Sequence, residues 1–150
     1  MPITLSVVRD AREYIPAAHW DRLAILISRD HDVDRALAER ILAQTVAFLI
    51  TCARNPGLPL GPAPMVDKGW HTFLTDTVPY RAFCQAHNGD YINHIPHLPG
   101  EDQEGPLVLR TTIQAIRDAG FTLDEQLWNA EGVDCNQCYA GCSNSPGKGK

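Results

Sequence analysis

The segment 33–54, VDRALAERILAQTVAFLITCAR, decides the fold. Leu37, Ile41, Thr45, Phe48, Leu49 and Cys52 recur three or four residues apart and make one stripe at the helical period. Val46 and Ile50 add apolar cover on another side, so the second half of this helix belongs at the centre of a core. Asp32 reads as its N-cap, and Asp34 suits the positive first turn. Asn55-Pro56-Gly57 stops it. Gln44 and Thr45 interrupt the apolar run 41–53, which falls short of the roughly 18 uninterrupted apolar residues of a spanning helix. No membrane span is expected.

Working outward, residues 17–29 carry Trp20, Leu23, Ala24 and Ile27 at helical spacing, with Pro16 placed for a first turn. On the other side, residues 55–64 hold four prolines and two glycines and read as an extended strap over the helices. Helices are expected over 65–75 and 79–88, followed by the turn Asn88-Gly89-Asp90. Residues 94–106, with three prolines and two glycines, read as loop. Leu109, Ile113 and Ile116 mark a helix over 107–119 that Gly120 closes. Thr122-Leu123-Asp124-Glu125 reads as a capping box opening a short helix through Trp128. The expected class is all-α: a compact bundle of about five or six helices with a proline-rich strap. Residues 1–132 form the helical domain, and 133–150 a flexible Cys-containing C-terminal tail.

The chain has 150 residues, with 13 Lys and Arg against 18 Asp and Glu, hence a net charge of −5. That balance argues against a general nucleic-acid binder, which needs a basic field to meet phosphates. Apolar residues at 44% supply a core, and charged residues at 21% exclude a highly charged disordered chain. The first residues lack a basic start, an apolar stretch and a cleavage site, so a cytoplasmic location is expected. Five cysteines, an odd number, fit a disulfide framework poorly in a reducing compartment. Metal ligation or thiol chemistry is the better reading of them.

Chemistry concentrates in residues 66–97. Val66, Trp70, Phe73 and Leu74 form the apolar face of one helix, and Asp67 and His71, four apart, lie together at its edge. Tyr80, Phe83, Cys84 and His87 share a stripe on the next helix. His94-Ile95-Pro96-His97 then sets two imidazoles in a proline-fixed segment. Imidazoles and a carboxylate suit zinc, or non-haem iron of the two-His-one-carboxylate kind. Asp67, His71 and His94 supply that trio, with His97 as an alternative and Cys84 as a softer donor. Against this stands a purely architectural reading. Asp67 then only orients His71 and pins two helices, Cys84 is a small core residue, and His87 faces a helix end.

The order Asp67-x-x-Trp70-His71-x-Phe73, a Thr at Thr77 or Thr75, Tyr80-x-x-Phe83-Cys84, Gly89 and His94-x-Pro96 resembles the glycine-rich domain-containing protein-like family, in its bacterial and fungal form. The likeness covers about a quarter of the chain directly. It implies a helical domain and supplies no activity. The pattern positions carried over are Asp67, Trp70, His71, Tyr80, Cys84, Gly89 and His94. With only 11 glycines the chain has no glycine-rich domain, and it lacks the RNA-binding segments of some plant members.

Cys135, Cys138 and Cys142 make a second candidate set, a metal or thiol site that zinc would complete with a fourth ligand such as His97 or a second chain. The spacing lacks the further Cys and the Pro of bacterial iron–sulfur runs. A bare thiol-bearing tail, or a tail that is itself a substrate for modification, are the alternatives. Asp30, Asp32 and Asp34 copy the start of a calcium loop, but Arg35 and Ile41 stand where Gly and Glu are needed. No nucleophile elbow, Walker loop or dinucleotide fingerprint is present. The leading expectation is a small metal-binding helical protein, enzymatic if metal positions stay open, with Trp70, Tyr80 and Cys84 supporting the ligands. The competing one is an interaction or adaptor domain, whose partner is a protein or small molecule.

Overall fold

The twenty-residue helix α2 (Arg35–Arg54) forms the axis of the molecule, because every residue from Gln44 to Cys52 is buried. A computed structural model describes residues 8–100, 104–128 and 142–144. Around α2 lie α1 (Ala17–His31), α3 (Pro64–Thr75), α4 (Thr77–Asn88), α5 (Gly105–Asp118) and the short α6 (Glu125–Trp128), after a 3-10 turn at Ala11–Tyr14. The bundle is all-α, as the periodicity predicts. A two-residue antiparallel ladder is added, pairing β1 (Ile95–Pro96) with β2 (Cys142–Ser143).

By length and composition α2 is the one helix among the described residues able to cross a bilayer, yet 67% of its most apolar window is buried inside the protein. Its apolarity is accounted for by the core. Gln44, a polar residue that interrupts the run, holds the segment from Thr122 to Trp128. Its amide donates to the Thr122 carbonyl at 3.1 Å and accepts from the Asp124 amide at 3.1 Å and the Trp128 indole at 2.8 Å. Trp128 is thereby fixed near Phe48, whose ring also meets Trp70 with centroids 5.2 Å apart.

Three local expectations are corrected. Asp32 is not the N-cap of α2: it ends α1 in the left-handed conformation at φ 52°. Asp34 is the cap instead, accepting from the Leu37 amide at 2.8 Å. The capping box at Thr122 does not form, because α6 begins only at Glu125. Asp124 turns its carboxylate to Arg40. Finally, part of the stretch read as a flexible tail is bound to the bundle. Besides the β1–β2 ladder, the Asn144 amide donates to the Leu60 carbonyl at 3.2 Å, and Asn144 Oδ1 accepts from the Leu60 amide at 2.9 Å. The strap is secured on its other side by Gly61, whose amide donates to Thr112 Oγ1 at 3.0 Å.

The helix that carries Asp67 and His71 approaches α2 at Gly69. A Cβ there would stand 2.2 Å from Thr45 Oγ1 and 2.7 Å from Ile41 Cγ2. Thr45 is itself held, donating to the Ile41 carbonyl at 2.8 Å and lying 3.3 Å from the Val66 carbonyl. Neither neighbour can move cheaply. Gly69→Ala therefore overpacks the interface and is expected to destabilise the protein by about 1–3 kcal/mol. The check is a lower urea midpoint at unchanged denaturant slope.

Candidate metal centre

Pro64 opens α3 as its first residue, where its missing N–H costs nothing, and Asp67 falls in the first turn, where the helix dipole favours a carboxylate. His71 follows one turn later on the same edge. Burial of Val66, Trp70 and Phe73 turns that edge toward the surface: the Asp67 side chain is 13% exposed and that of His71 53%.

His94 arrives from the segment after α4, and the residues of the Trp-His and Phe-Cys motif explain its placement. Trp70 Nε1 donates to Tyr80 Oη at 3.0 Å, and Tyr80 Oη donates to the Ile92 carbonyl at 2.6 Å. The Ile92 amide points at Cys84 Sγ, 3.5 Å away. Both backbone groups of Ile92 are thus anchored by the motif, two residues before His94. The His94 ring then packs edge-on against Trp70, with centroids 4.4 Å apart. Burial pushes the Tyr80 phenol and the Cys84 thiol up from their ordinary ranges, so both stay neutral. Cys84 is a core thiol with a positioning contact and lies outside the ligand group.

Asp67 sits between the two histidines. His94 Nε2 is 3.0 Å from Oδ1, and His71 Nε2 is 3.2 Å from Oδ2. The imidazole rings lie 4.4 Å apart at 80°. The fourth member is Cys142 on β2, which the ladder sets opposite Pro96, two residues beyond His94. One ligand atom from each of Asp67, His71, His94 and Cys142 lies within 4.8 Å of all the others. These four side chains could hold a metal ion. Burial first, and the Asp67 charge second, push the Cys142 thiol up to about 11. A bound divalent cation reverses that balance, since a coordinating thiol is deprotonated.

Of the residues singled out in sequence, Asp67, His71 and His94 are brought together. His97 is placed apart from the four, with Nε2 2.9 Å from Ser143 Oγ on the neighbouring strand residue. His87 reaches back to the N-terminal turn, donating to the Tyr14 carbonyl at 2.8 Å. Cys135 and Cys138 lie outside the described residues. Cys142, grouped with them by spacing, belongs in space to the histidine site. Nothing in a two-residue ladder gives a periodic signal, so the sequence holds no mark of this pairing. Asp30 and Asp34 serve local roles, Asp30 accepting from Thr72 Oγ1 at 3.0 Å and Asp34 as a helix cap.

Tyr80→Phe removes the hydroxyl that joins Trp70 to Ile92 and leaves two buried groups unpaired. A loss of about 1–3 kcal/mol is expected. Faster hydrogen exchange at residues 92–95 should accompany it, whereas a variant as stable and as protected as the parent would contradict this role.

No family model, no curated protein and no solved structure matches the chain, so the functional reading rests on the geometry of these residues.

Proposed function

We propose that this is a metal-binding protein in which Asp67, His71, His94 and Cys142 hold one divalent cation, and that the cation is zinc. The observation that carries the reading is the convergence of the four donor atoms within 4.8 Å from three separate chain segments. Zinc bonds of roughly 2.0–2.3 Å in a tetrahedron set neighbouring donors roughly 3.3–3.8 Å apart. The Asp67–histidine separations of 3.0 and 3.2 Å fall just short of that spacing. Separations of up to 4.8 Å would have to close by about an ångström to reach it. Two imidazoles, a carboxylate and a thiolate form a donor set of intermediate softness, which suits zinc.

Four protein ligands make a closed site, so the cation acts chiefly as a fastener. It ties β2 and the His94 segment to α3, and its binding energy becomes folding energy for those contacts. The exposure of His71 favours one other reading. If Cys142 leaves the metal, Asp67, His71 and His94 form a two-His-one-carboxylate face with open positions, which suits iron or an activated water.

The protein, purified reduced and without chelator, is expected to carry one equivalent of zinc. His71→Ala and Cys142→Ser should each be purified without it and take it up only at excess metal, while Cys135→Ser and Cys138→Ser should keep it. Cobalt in place of zinc should give intense tetrahedral bands and a thiolate charge-transfer band that only Cys142→Ser abolishes. Affinity should fall as pH falls, because the ligands must shed protons to bind. A parent protein that binds no metal overturns the reading and leaves an interaction domain with an architectural motif. Metal lost only on Cys138→Ser moves the site into the C-terminal segment.

A further inference from the structure

The four side chains of the candidate centre meet solvent unequally. The side chains of Asp67 and His94 are 13% and 9% exposed, and Cys142 is buried, whereas the His71 side chain is 53% exposed. The bundle covers three donors and leaves the fourth at the surface.

The contacts that hold the two histidines differ in the same sense. His94 packs edge-on against the buried Trp70, and the backbone two residues before it is tied to Tyr80 and Cys84. Cys142 stands in the ladder opposite Pro96, with Asn144 just beyond it bonded to Leu60. The His71 imidazole meets Asp67 Oδ2 at 3.2 Å and the His94 ring with centroids 4.4 Å apart, and both partners belong to the centre itself. Among the described residues no hydrogen bond, ion pair or ring contact from outside the centre holds it. An exposed side chain changes rotamer readily, so this imidazole can swing into water while the core stays packed.

Charge decides which donor suits the place it leaves. A divalent cation held by the Asp67 carboxylate and the Cys142 thiolate is already neutralised, because histidines bind metals as uncharged imidazoles. An anion in place of His71 would give the centre a net negative charge, inside a chain whose net charge is −5. An uncharged donor preserves the balance. Near neutral pH an imidazole keeps its lone pair free, whereas an amine is protonated.

We infer that His71 is the exchangeable ligand of the centre, and that its place on the metal is open to a small, uncharged, imidazole-type nitrogen donor from solution. On the four-ligand reading proposed above, on which this rests, Asp67, His94 and Cys142 keep the cation while the surface position changes hands. The bond from the metal to His71 breaks, and one to the lone pair of the incoming nitrogen forms. No electron is transferred and no proton is displaced.

The test uses the full chain and cobalt, with imidazole as the probe and visible absorption as the readout. His71→Ala removes an exposed side chain and leaves the position vacant. Its cobalt affinity should rise with imidazole in proportion to one plus the ratio of imidazole to its Kd, about tenfold at roughly nine times Kd. The four-coordinate bands should return with it. Cys142→Ser, in which the surface position is still filled by His71, should show no such rise. Azide, an anionic donor, should raise the affinity of His71→Ala less than imidazole does. A parent chain that binds cobalt while His71→Ala shows no imidazole-dependent rise overturns this inference alone. An equal rise in Cys142→Ser also overturns it, and so does an azide response that matches that of imidazole. A parent that binds no cobalt overturns the four-ligand reading itself.

Discussion

The contact on which the rest of the structure depends is the approach of α3 to α2 at Gly69. No side chain fits there, because Thr45 Oγ1 and Ile41 Cγ2 occupy the space where one would begin. This closeness fixes the axis and rotation of α3. Once Trp70 and Phe73 are committed to the core at that rotation, Asp67 and His71 can point only toward the edge where His94 arrives. The geometry of the candidate site is thus a consequence of core packing two residues away, and the rigidity of a packed interior is passed directly to it.

A second layer of positioning comes from the hydrogen-bonded line from Trp70 through Tyr80 to Ile92. A buried tryptophan and tyrosine each need a partner for their polar atoms, and here each satisfies the other. Since the line ends on the backbone just before His94, the same residues that fill the core also orient a candidate ligand. The architectural and the functional reading of the motif are therefore not rivals. The motif builds the core and, by building it, places the imidazole.

The fold was legible because its strongest signal, the stripe from Leu37 to Cys52, has a period that only a helix satisfies. The strap and the glycine that closes α5 were legible from composition alone. The candidate site was legible in part. Asp67 and His71 share a helix face by spacing, and His94 stood out as an imidazole in a proline-fixed segment. Cys142 was not, since its place depends on a ladder of two residues and on the long-range Asn144–Leu60 bonds, which leave no periodic trace. Asp32 and Asp34 show a subtler failure. Both are good caps, and the choice fell to Asp34 because Asp32 is taken up in the left-handed turn that ends α1.

The central claim is that one carboxylate, two imidazoles and one thiolate share a single cation. X-ray absorption at the zinc edge of the reconstituted protein measures this most directly. The account predicts four-coordinate zinc with one sulfur at about 2.3 Å and three nitrogen or oxygen donors at about 2.0–2.1 Å, the sulfur shell vanishing in Cys142→Ser. A first shell of six oxygen and nitrogen donors without sulfur, or a sulfur shell untouched by that substitution, would contradict it.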